Sequence, residues 1–256
     1  MRGAVLPIAG TAAGGVRFEV GAGGDTTMEV DRAAESVVFA ELEAAAAGGE
    51  TFSVLSEESG LRSFGAPYPL VLVDPVDGSL NAKQGVPLFG LMLAVLDGPV
   101  INDTFAGYVL DLNNGEEWTG IRKQGARRDG ARLTVIPRND PKKIQILGLE
   151  SSPRAVAAVQ PLVERAGKLR ILGSMAISIA LTASGAFDVF CAPMPVRVFD
   201  MAASLLLLAE SGGVATDMMG RPVGPLAASL DRRTTLLCAP TADLHAQALR
   251  ILGSKE

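Results

Sequence analysis

The chain has 256 residues, of which 48% are hydrophobic and 20% are charged, which is enough apolar surface to bury a core and excludes an intrinsically disordered protein. Its formal net charge is −5, and no run of Lys or Arg is long enough to track a nucleic acid, so we expect no nucleic-acid partner. No apolar stretch is long enough to span a bilayer, so we expect no membrane partner either.

The N-terminal segment, from Met1 to Gly15, is apolar and rich in glycine and contains Pro7. We expect a helix packed on the core here, with a cleaved signal peptide as the alternative. The two cysteines, Cys191 and Cys238, lie far apart in apolar runs without a CxxC spacing. They predict buried free thiols in a cytoplasmic protein.

The first half of the chain has the pattern of one helix followed by several strands. Apolar residues at four-residue steps predict a helix over 30–47, which a pair of glycines ends. Short apolar runs then predict strands over 51–56, 69–73, 89–96, 106–110, 117–121 and 133–136. Turn signals between some of these runs predict an antiparallel meander in this middle region.

In the second half, predicted strands and helices alternate, which indicates layered α/β packing. The strands are expected over 144–149, 169–172 and 187–192, and the helices over 153–165, 174–183 and 200–210. A C-terminal amphipathic helix carries His245, which we expect at the surface. Because no flexible linker divides the chain, residues 1–256 are interpreted as one unit whose halves, 1–150 and 151–256, enclose a cleft.

The segment Asp74-Pro75-Val76-Asp77-Gly78-Ser79 carries the clearest chemical signal. A buried strand runs into two carboxylates three residues apart, which repel each other unless a cation lies between them. Oxygen ligands of this kind suit Mg²⁺. The glycine permits close approach of a ligand, and a helix starting here would turn backbone N–H groups towards an anion such as phosphate. The alternative is an ordinary surface turn.

Three further acidic positions fit the same chemistry. Glu57 directly follows an apolar strand, and Asp200 stands at the start of an almost wholly apolar helix, where it is either an N-cap or a ligand. Asp31, four residues after Thr27, is either part of a helix start or a group placed beside a hydroxyl that activates water.

Together these segments resemble the inositol monophosphatase family of lithium-sensitive, metal-dependent phosphatases. The matching segments are Asp25 to Glu35, Glu57-Glu58, Asp74 to Ser79, Gly173 to Ala176, and Asp200 to Gly213. The resemblance implies an α+β fold, a layered αβαβα sandwich, and a homodimer. It also implies hydrolysis of a small-molecule phosphate ester without a phosphoenzyme.

By this resemblance, two or three Mg²⁺ ions, with Mn²⁺ as a possible substitute, would be held by Glu57, Asp74, Asp77, Asp200 and the carbonyl of Val76. Asp31, Glu57 and Ser79 would orient and deprotonate the attacking water. The expected substrate-binding residues are Asp77, Gly78, Ser79, Arg170, Gly173, Ser174, Met175, Arg197 and Asp200.

The resemblance is closest to the archaeal dual enzymes, which accept inositol monophosphate and fructose-1,6-bisphosphate. Pro193 stands where inositol-preferring members tend to carry a Glu, which argues against strict inositol specificity. Arg170 and Arg197 are candidates to hold a second phosphate. The alternatives are a 3′-phosphoadenosine 5′-phosphate phosphatase and a catalytically silent binding or regulatory homologue, although every expected metal ligand is present.

Overall fold

The computed structural model describes residues 1–135 and 143–253. Among the described residues, no helix combines the length and apolar character needed to cross a membrane. The helices are α1 (Arg2–Val5), α2 (Glu29–Ala47), α3 (Ser79–Gln84), α4 (Gln160–Arg165), α5 (Met175–Ala183), α6 (Ala202–Glu210) and α7 (Ala242–Gly253).

The strands form three sheets. Strands β1 (Arg17–Val20) and β2 (Thr26–Met28) make a small antiparallel hairpin. A seven-stranded sheet follows in the spatial order β3 (Phe52–Ser56), β4 (Gly60–Asp77), β5 (Gly90–Leu96), β6 (Thr104–Asp111), β7 (Glu117–Ile121), β8 (Gly125–Arg128), β9 (Ala131–Arg132). The second half supplies β10 (Ile146–Leu149), β11 (Lys168–Arg170), β12 (Val189–Arg197), β13 (Val214–Thr216) and β14 (Arg233–Ala239), in the spatial order β11-β10-β12-β14-β13.

Helices and sheets alternate as five layers. Helix α2 covers one face of the seven-stranded sheet, α5 and α6 lie between the two sheets, and α4 and α7 cover the far face of the five-stranded sheet. The central pair is buried because its sequence is apolar on every side: Ala202 to Leu208 of α6 are all buried. Each fully buried leucine in such a helix contributes about 1.5–3 kcal/mol. The predicted αβαβα sandwich is therefore confirmed.

The close contact between α6 and the seven-stranded sheet depends on a glycine. A Cβ atom on Gly107 of β6 would lie 3.0 Å from the carbonyl oxygen of Ala203 and 3.1 Å from its Cα. Overpacking of this kind costs about 1–3 kcal/mol. The absence of a side chain at position 107 therefore sets how closely the sheet and helix approach.

Several elements differ from the sequence-based expectations. The strand predicted at 69–73 lies within the much longer β4, which continues to Asp77, and the one at 187–192 continues to Arg197. Residues 153–165 form a short 3₁₀ turn followed by α4, where Pro161 occupies the first turn, instead of one continuous helix. Residues 133–135 are not a strand; the remaining position of that prediction, 136, lies outside the described residues.

The N-terminal helix is short. Only Arg2–Val5 is helical, although Val5 is fully buried and the Arg2 guanidinium anchors the segment by donating to the carbonyl oxygens of Leu112 and Asn113. The expected packing on the core is present, and the expected length is not. Glycines at several positions between residues 3 and 15 limit helix propagation.

The surface position predicted for His245 is wrong. His245 is 5% exposed, and its Nε2 lies 2.9 Å from the hydroxyl of Thr216. Burial lowers the pKa of its imidazole. Its position one residue from Leu244, on the apolar side of α7, brings it against β13 when the helix docks.

Candidate active site

Strand register brings the first two acidic positions together. Ser56 at the end of β3 pairs with Val73 in β4, and the backbone N–H of Glu57 donates to the carbonyl oxygen of Val73 at 3.1 Å. Glu57 and Asp74 each follow one member of this pair directly, so both carboxylates lie at the same end of the sheet.

The second half of the chain contributes a third carboxylate. Asp200 lies in a 3₁₀ turn before α6, and carboxylate oxygens of Glu57, Asp74 and Asp200 fall within 4.8 Å of one another. The N-cap interpretation of Asp200 is wrong, because the N-cap of α6 is Met201 and no side chain caps the helix. The Oδ1 atom of Asp200 is buried and has no hydrogen-bond partner within residues 1–135 and 143–253, and such an oxygen in a carboxylate cluster fits a hard divalent cation.

The cluster is electrostatically unfavourable without a cation. Burial, reinforced by Glu57, Asp77 and Asp200, raises the pKa of Asp74 well above its usual range. Burial also raises the pKa of Asp200 to about 7, against the opposing charge of Arg197. Carboxyl groups that resist ionisation for these reasons become good ligands once a divalent ion compensates their charge.

Arg197 compensates part of this charge. Its Nη2 lies 2.5 Å from Glu57, its Nε 3.0 Å from Asp200 and its Nη1 3.1 Å from Asp25. Burial opposes its charge, but the carboxylates of Asp200 and Glu57 outweigh burial and raise its pKa. Arg197 therefore lies in the cleft as predicted, but its guanidinium is engaged by carboxylates, and its contact with a second phosphate stays a prediction.

Asp77 is held by the start of α5. Its carboxylate accepts hydrogen bonds from the hydroxyl of Ser174, from the backbone N–H of Met175 at 3.0 Å and from that of Ala176 at 2.7 Å. Burial nevertheless raises its pKa to about 6. The predicted substrate segment Gly173-Ser174-Met175 thus meets the predicted metal segment, which joins the two halves of the molecule.

A β-bulge separates Asp74 from Asp77. Asp74 pairs with Met92 of β5, whereas Asp77 pairs with Gly90, so one extra residue is accommodated between them. Bulges of this kind reorient backbone and side chains next to functional sites. The carbonyl of Val76 lies in this irregular stretch, and its role as a metal ligand stays a prediction.

The helix expected after Asp77 is present, since α3 begins at Ser79 with Gly78 at its N-cap. Gly78 has a φ of +92°, and a Cβ atom there would lie 2.8 Å from the carbonyl oxygen of Gly173. Asn81 fixes the same contact by donating to the carbonyl oxygens of Leu88 and Leu172 at 2.6 and 2.7 Å. Only glycine suits position 78, because both the backbone conformation and the space require it.

Asp31 lies in the first turn of α2, and its side chain hydrogen-bonds to the backbone at the N-terminus of the helix, as one of the two sequence-based alternatives predicted. Its Oδ2 accepts a hydrogen bond from the backbone N–H of Met28 at 2.8 Å. Burial raises its pKa to about 8, with Glu58 and Glu57 adding to the shift. The hydroxyl of Thr27 donates to Glu58, so Asp31 lies next to the acidic pair, and its role in activating water, like that of Ser79, stays a prediction.

A cavity of about 340 Å³ opens beside the cluster. Asp77, Gly173, Met175, Arg197 and Asp200, all predicted substrate residues, line it. Arg170 does not: it is exposed on β11 and its Nη1 donates to the carbonyl of Leu169. Three charged residues that were not predicted as site residues also line the cavity, namely Asp25, Glu150 and Arg233.

The sequence could have indicated Glu150 as a site residue, because it directly follows an apolar strand as Glu57 does. No sequence pattern indicates Arg233 as a site residue, because only the pairing of β12 with β14 places it opposite Arg197.

Comparison with known proteins shows the family to which the chain is similar. The chain matches the inositol monophosphatase family over residues 11–254. It is 33% identical over 221 residues to a fructose-1,6-bisphosphatase/inositol-1-monophosphatase of Thermococcus kodakarensis, covering 85% of this chain and 79% of that protein. A protein of the same description from Methanothermobacter thermautotrophicus is 29% identical over 260 residues, covering 97% of this chain and 91% of that protein. A solved Pyrococcus horikoshii protein, described as having similarities to inositol-1 monophosphatase, has a TM-score of 0.81 at 21% identity, covering 99% of this chain and 93% of that one.

The layered fold, the carboxylate cluster and these relatives define the class of the protein, which is a metal-dependent phosphoric monoester hydrolase. Within that class, the chain belongs to the inositol monophosphatase family.

Proposed function

We propose that this protein hydrolyses the phosphate monoester of a small sugar or polyol, with fructose-1,6-bisphosphate and inositol monophosphate as its substrates and Mg²⁺ as its metal. The observation that carries the proposal is the convergence of Glu57, Asp74 and Asp200 beside a cavity of about 340 Å³. That volume suits a small ligand. Two relatives with this pair of activities in their descriptions support the choice of substrates.

The residues divide into three roles. Glu57, Asp74 and Asp200 would hold the metal, with Asp77 and the Val76 carbonyl completing its ligands. When bound, Mg²⁺ would supply Lewis-acid activation of a water molecule and neutralise charge on the phosphoryl oxygens. The backbone at the start of α3 would orient the phosphate group.

The reaction forms one bond from the water oxygen to phosphorus and breaks the bond from phosphorus to the alcohol oxygen. The Ser79 hydroxyl would position the water, and the Asp31 carboxylate would accept its proton, with Glu57 assisting. The departing alkoxide takes up a proton and leaves as the free alcohol. No covalent intermediate with the protein is required.

A second phosphate of a bisphosphate substrate would meet Arg233. This residue pairs with Arg197 across β12 and β14, which directs both side chains to the same face of the sheet. Unlike Arg197, Arg233 is exposed and forms no ion pair within residues 1–135 and 143–253. An arginine free of carboxylate partners is available for bidentate contact with phosphate.

The test is phosphate release with Mg²⁺, using fructose-1,6-bisphosphate, inositol-1-phosphate and 3′-phosphoadenosine 5′-phosphate, each with an EDTA control. Release from the first two, abolished by EDTA and by Asp200→Asn, supports the proposal. Preferential release from the nucleotide would favour the nucleotide phosphatase instead. Absence of release from all three would favour a silent homologue or another ester.

A homodimer located in the cytoplasm completes the proposal, on the strength of the family resemblance. Size-exclusion chromatography with light scattering tests the dimer directly, and a monomeric mass of 26.5 kDa would contradict it.

A further inference from the structure

Among the described acidic residues that line the cavity, Glu150 and Asp25 have no part in the proposed mechanism, and Asp25 is already paired with Arg197. Glu150 directly follows β10, and its backbone N–H donates to the carbonyl oxygen of Cys191 in β12 at 3.0 Å. Its backbone is therefore fixed between two central strands of the five-stranded sheet. The side chain points into the cavity beside Asp77, Gly173 and Met175.

One end of its carboxyl group is anchored and the other is not. The backbone N–H of Gly173 hydrogen-bonds to the group, whereas Oε2 is buried without any hydrogen-bond partner among the residues that the structure describes. A buried carboxyl oxygen left without a donor is costly. A group in the cavity that donates a hydrogen bond would remove this cost.

The other acidic side chains of the cavity already have partners or a ligand role. Asp25 pairs with Arg197, Asp77 accepts three hydrogen bonds at the start of α5, and Asp200 belongs to the carboxylate cluster. Glu150 is not a member of that cluster and forms no ion pair with a described residue. Glu150 therefore places a carboxyl group with one unsatisfied oxygen in the wall of the cavity that the substrate would enter.

From this geometry we propose that Glu150 is a specificity-determining residue, whose carboxyl group accepts a hydrogen bond from a hydroxyl group on the carbon skeleton of the substrate. The inference rests on the proposed function and deepens it, because it predicts that polyol and sugar phosphates are preferred over phosphate esters without hydroxyl groups. A site that hydrogen-bonds a hydroxyl discriminates strongly against an analogue lacking it, since the protein group is then left unpaired.

The experiment compares two substrates, inositol-1-phosphate, which carries hydroxyl groups, and p-nitrophenyl phosphate, which carries none. Glu150→Ala is expected to lower kcat/KM for inositol-1-phosphate by roughly 10- to 100-fold, the effect of losing one hydrogen bond to a charged group. The decrease for p-nitrophenyl phosphate is expected to be less than about threefold. Glu150→Gln, which retains an acceptor oxygen and the side-chain size, should recover part of the loss and covers the case in which the alanine variant folds poorly. Glu50→Ala removes an equal charge from an exposed position and serves as the matched control, expected to change neither value.

Three outcomes would overturn the inference. An equal loss with both substrates would assign Glu150 to the structure of the site. A tenfold weaker Mg²⁺ affinity in Glu150→Gln, measured by calorimetry without substrate, would make it a metal ligand. Failure of the unaltered protein to hydrolyse either ester would reject the proposed function and this inference with it, whereas the first two results reject the inference alone.

Discussion

Substituting Asp74 by asparagine should separate the stability of the metal-free protein from its capacity to bind metal. Asp74 is 2% exposed, and its Oδ1 accepts a hydrogen bond from the backbone N–H of Val76 at 3.1 Å. Because burial and three neighbouring carboxylates raise its pKa well above the usual range, we expect the neutral form of this group to be favoured in the metal-free protein. Asparagine keeps the size, the neutrality and the acceptor, so the free energy of unfolding in EDTA should change by less than about 1 kcal/mol.

Magnesium should distinguish the two proteins. At a concentration one hundred times its Kd, a ligand that binds only the folded state stabilises it by about 2.7 kcal/mol. For a chain of this length, that corresponds to a rise in Tm of about 5–11 °C. Asp74→Asn should lose most of this rise together with turnover, because a carboxylate ligand is replaced by a weaker neutral one.

The assay is thermal unfolding followed by circular dichroism, in EDTA and in Mg²⁺. Asp111→Asn is the matched control: Asp111 is 5% exposed and its Oδ1 accepts from the backbone N–H of Asn113 at 2.8 Å. The control should retain the full rise with Mg²⁺. A full rise and full turnover in Asp74→Asn would refute the metal-site assignment, and a large loss of stability in EDTA would refute the neutral state of Asp74.

The remaining predictions concern the same charges and the two thiols. In EDTA, Tm should fall as the pH rises from about 4 to about 7. Burial raises the folded-state pKa of Asp77 to about 6 and that of Asp200 to about 7, so the folded protein holds protons that the unfolded chain has released. Saturating Mg²⁺ should abolish this fall, and an increase in Tm over the same pH range would contradict the reasoning. Arg197→Met should lower the free energy of unfolding in EDTA at pH 8 by about 3 kcal/mol, because it leaves partly buried carboxylates without their counter-charge. An unchanged Tm would show that the ion pairs of Arg197 contribute nothing. Cys191 and Cys238 are buried, and burial raises the pKa of Cys191 to about 12 and also raises that of Cys238. A thiol reagent such as DTNB should therefore react only after denaturation. Rapid reaction of the folded protein would refute the burial of the two thiols.

Local sequence patterns were reliable where one physical constraint dominates. The periodicity of α2 placed it within one residue of its observed bounds, Glu29–Ala47, because an amphipathic helix on a sheet must repeat its apolar face. The entirely apolar character of α6 required complete burial, and the structure shows it between two sheets. The same reasoning wrongly predicted an exposed His245. Which residues at the border of an amphipathic face become buried depends on the neighbouring element against which the helix packs.

The layered α/β class, the central helices and the acidic segments at strand ends could therefore be predicted from the sequence alone. These features depend on apolar periodicity and on residue types, which can be read along the chain. The contacts between charged groups follow from the folded chain alone. Asp200 joins Glu57 and Asp74, Arg197 lies among them while Arg170 stays outside, and Glu150 lines the cavity. These contacts join residues up to more than a hundred positions apart, and their distances depend on strand register and helix docking, which no local pattern encodes.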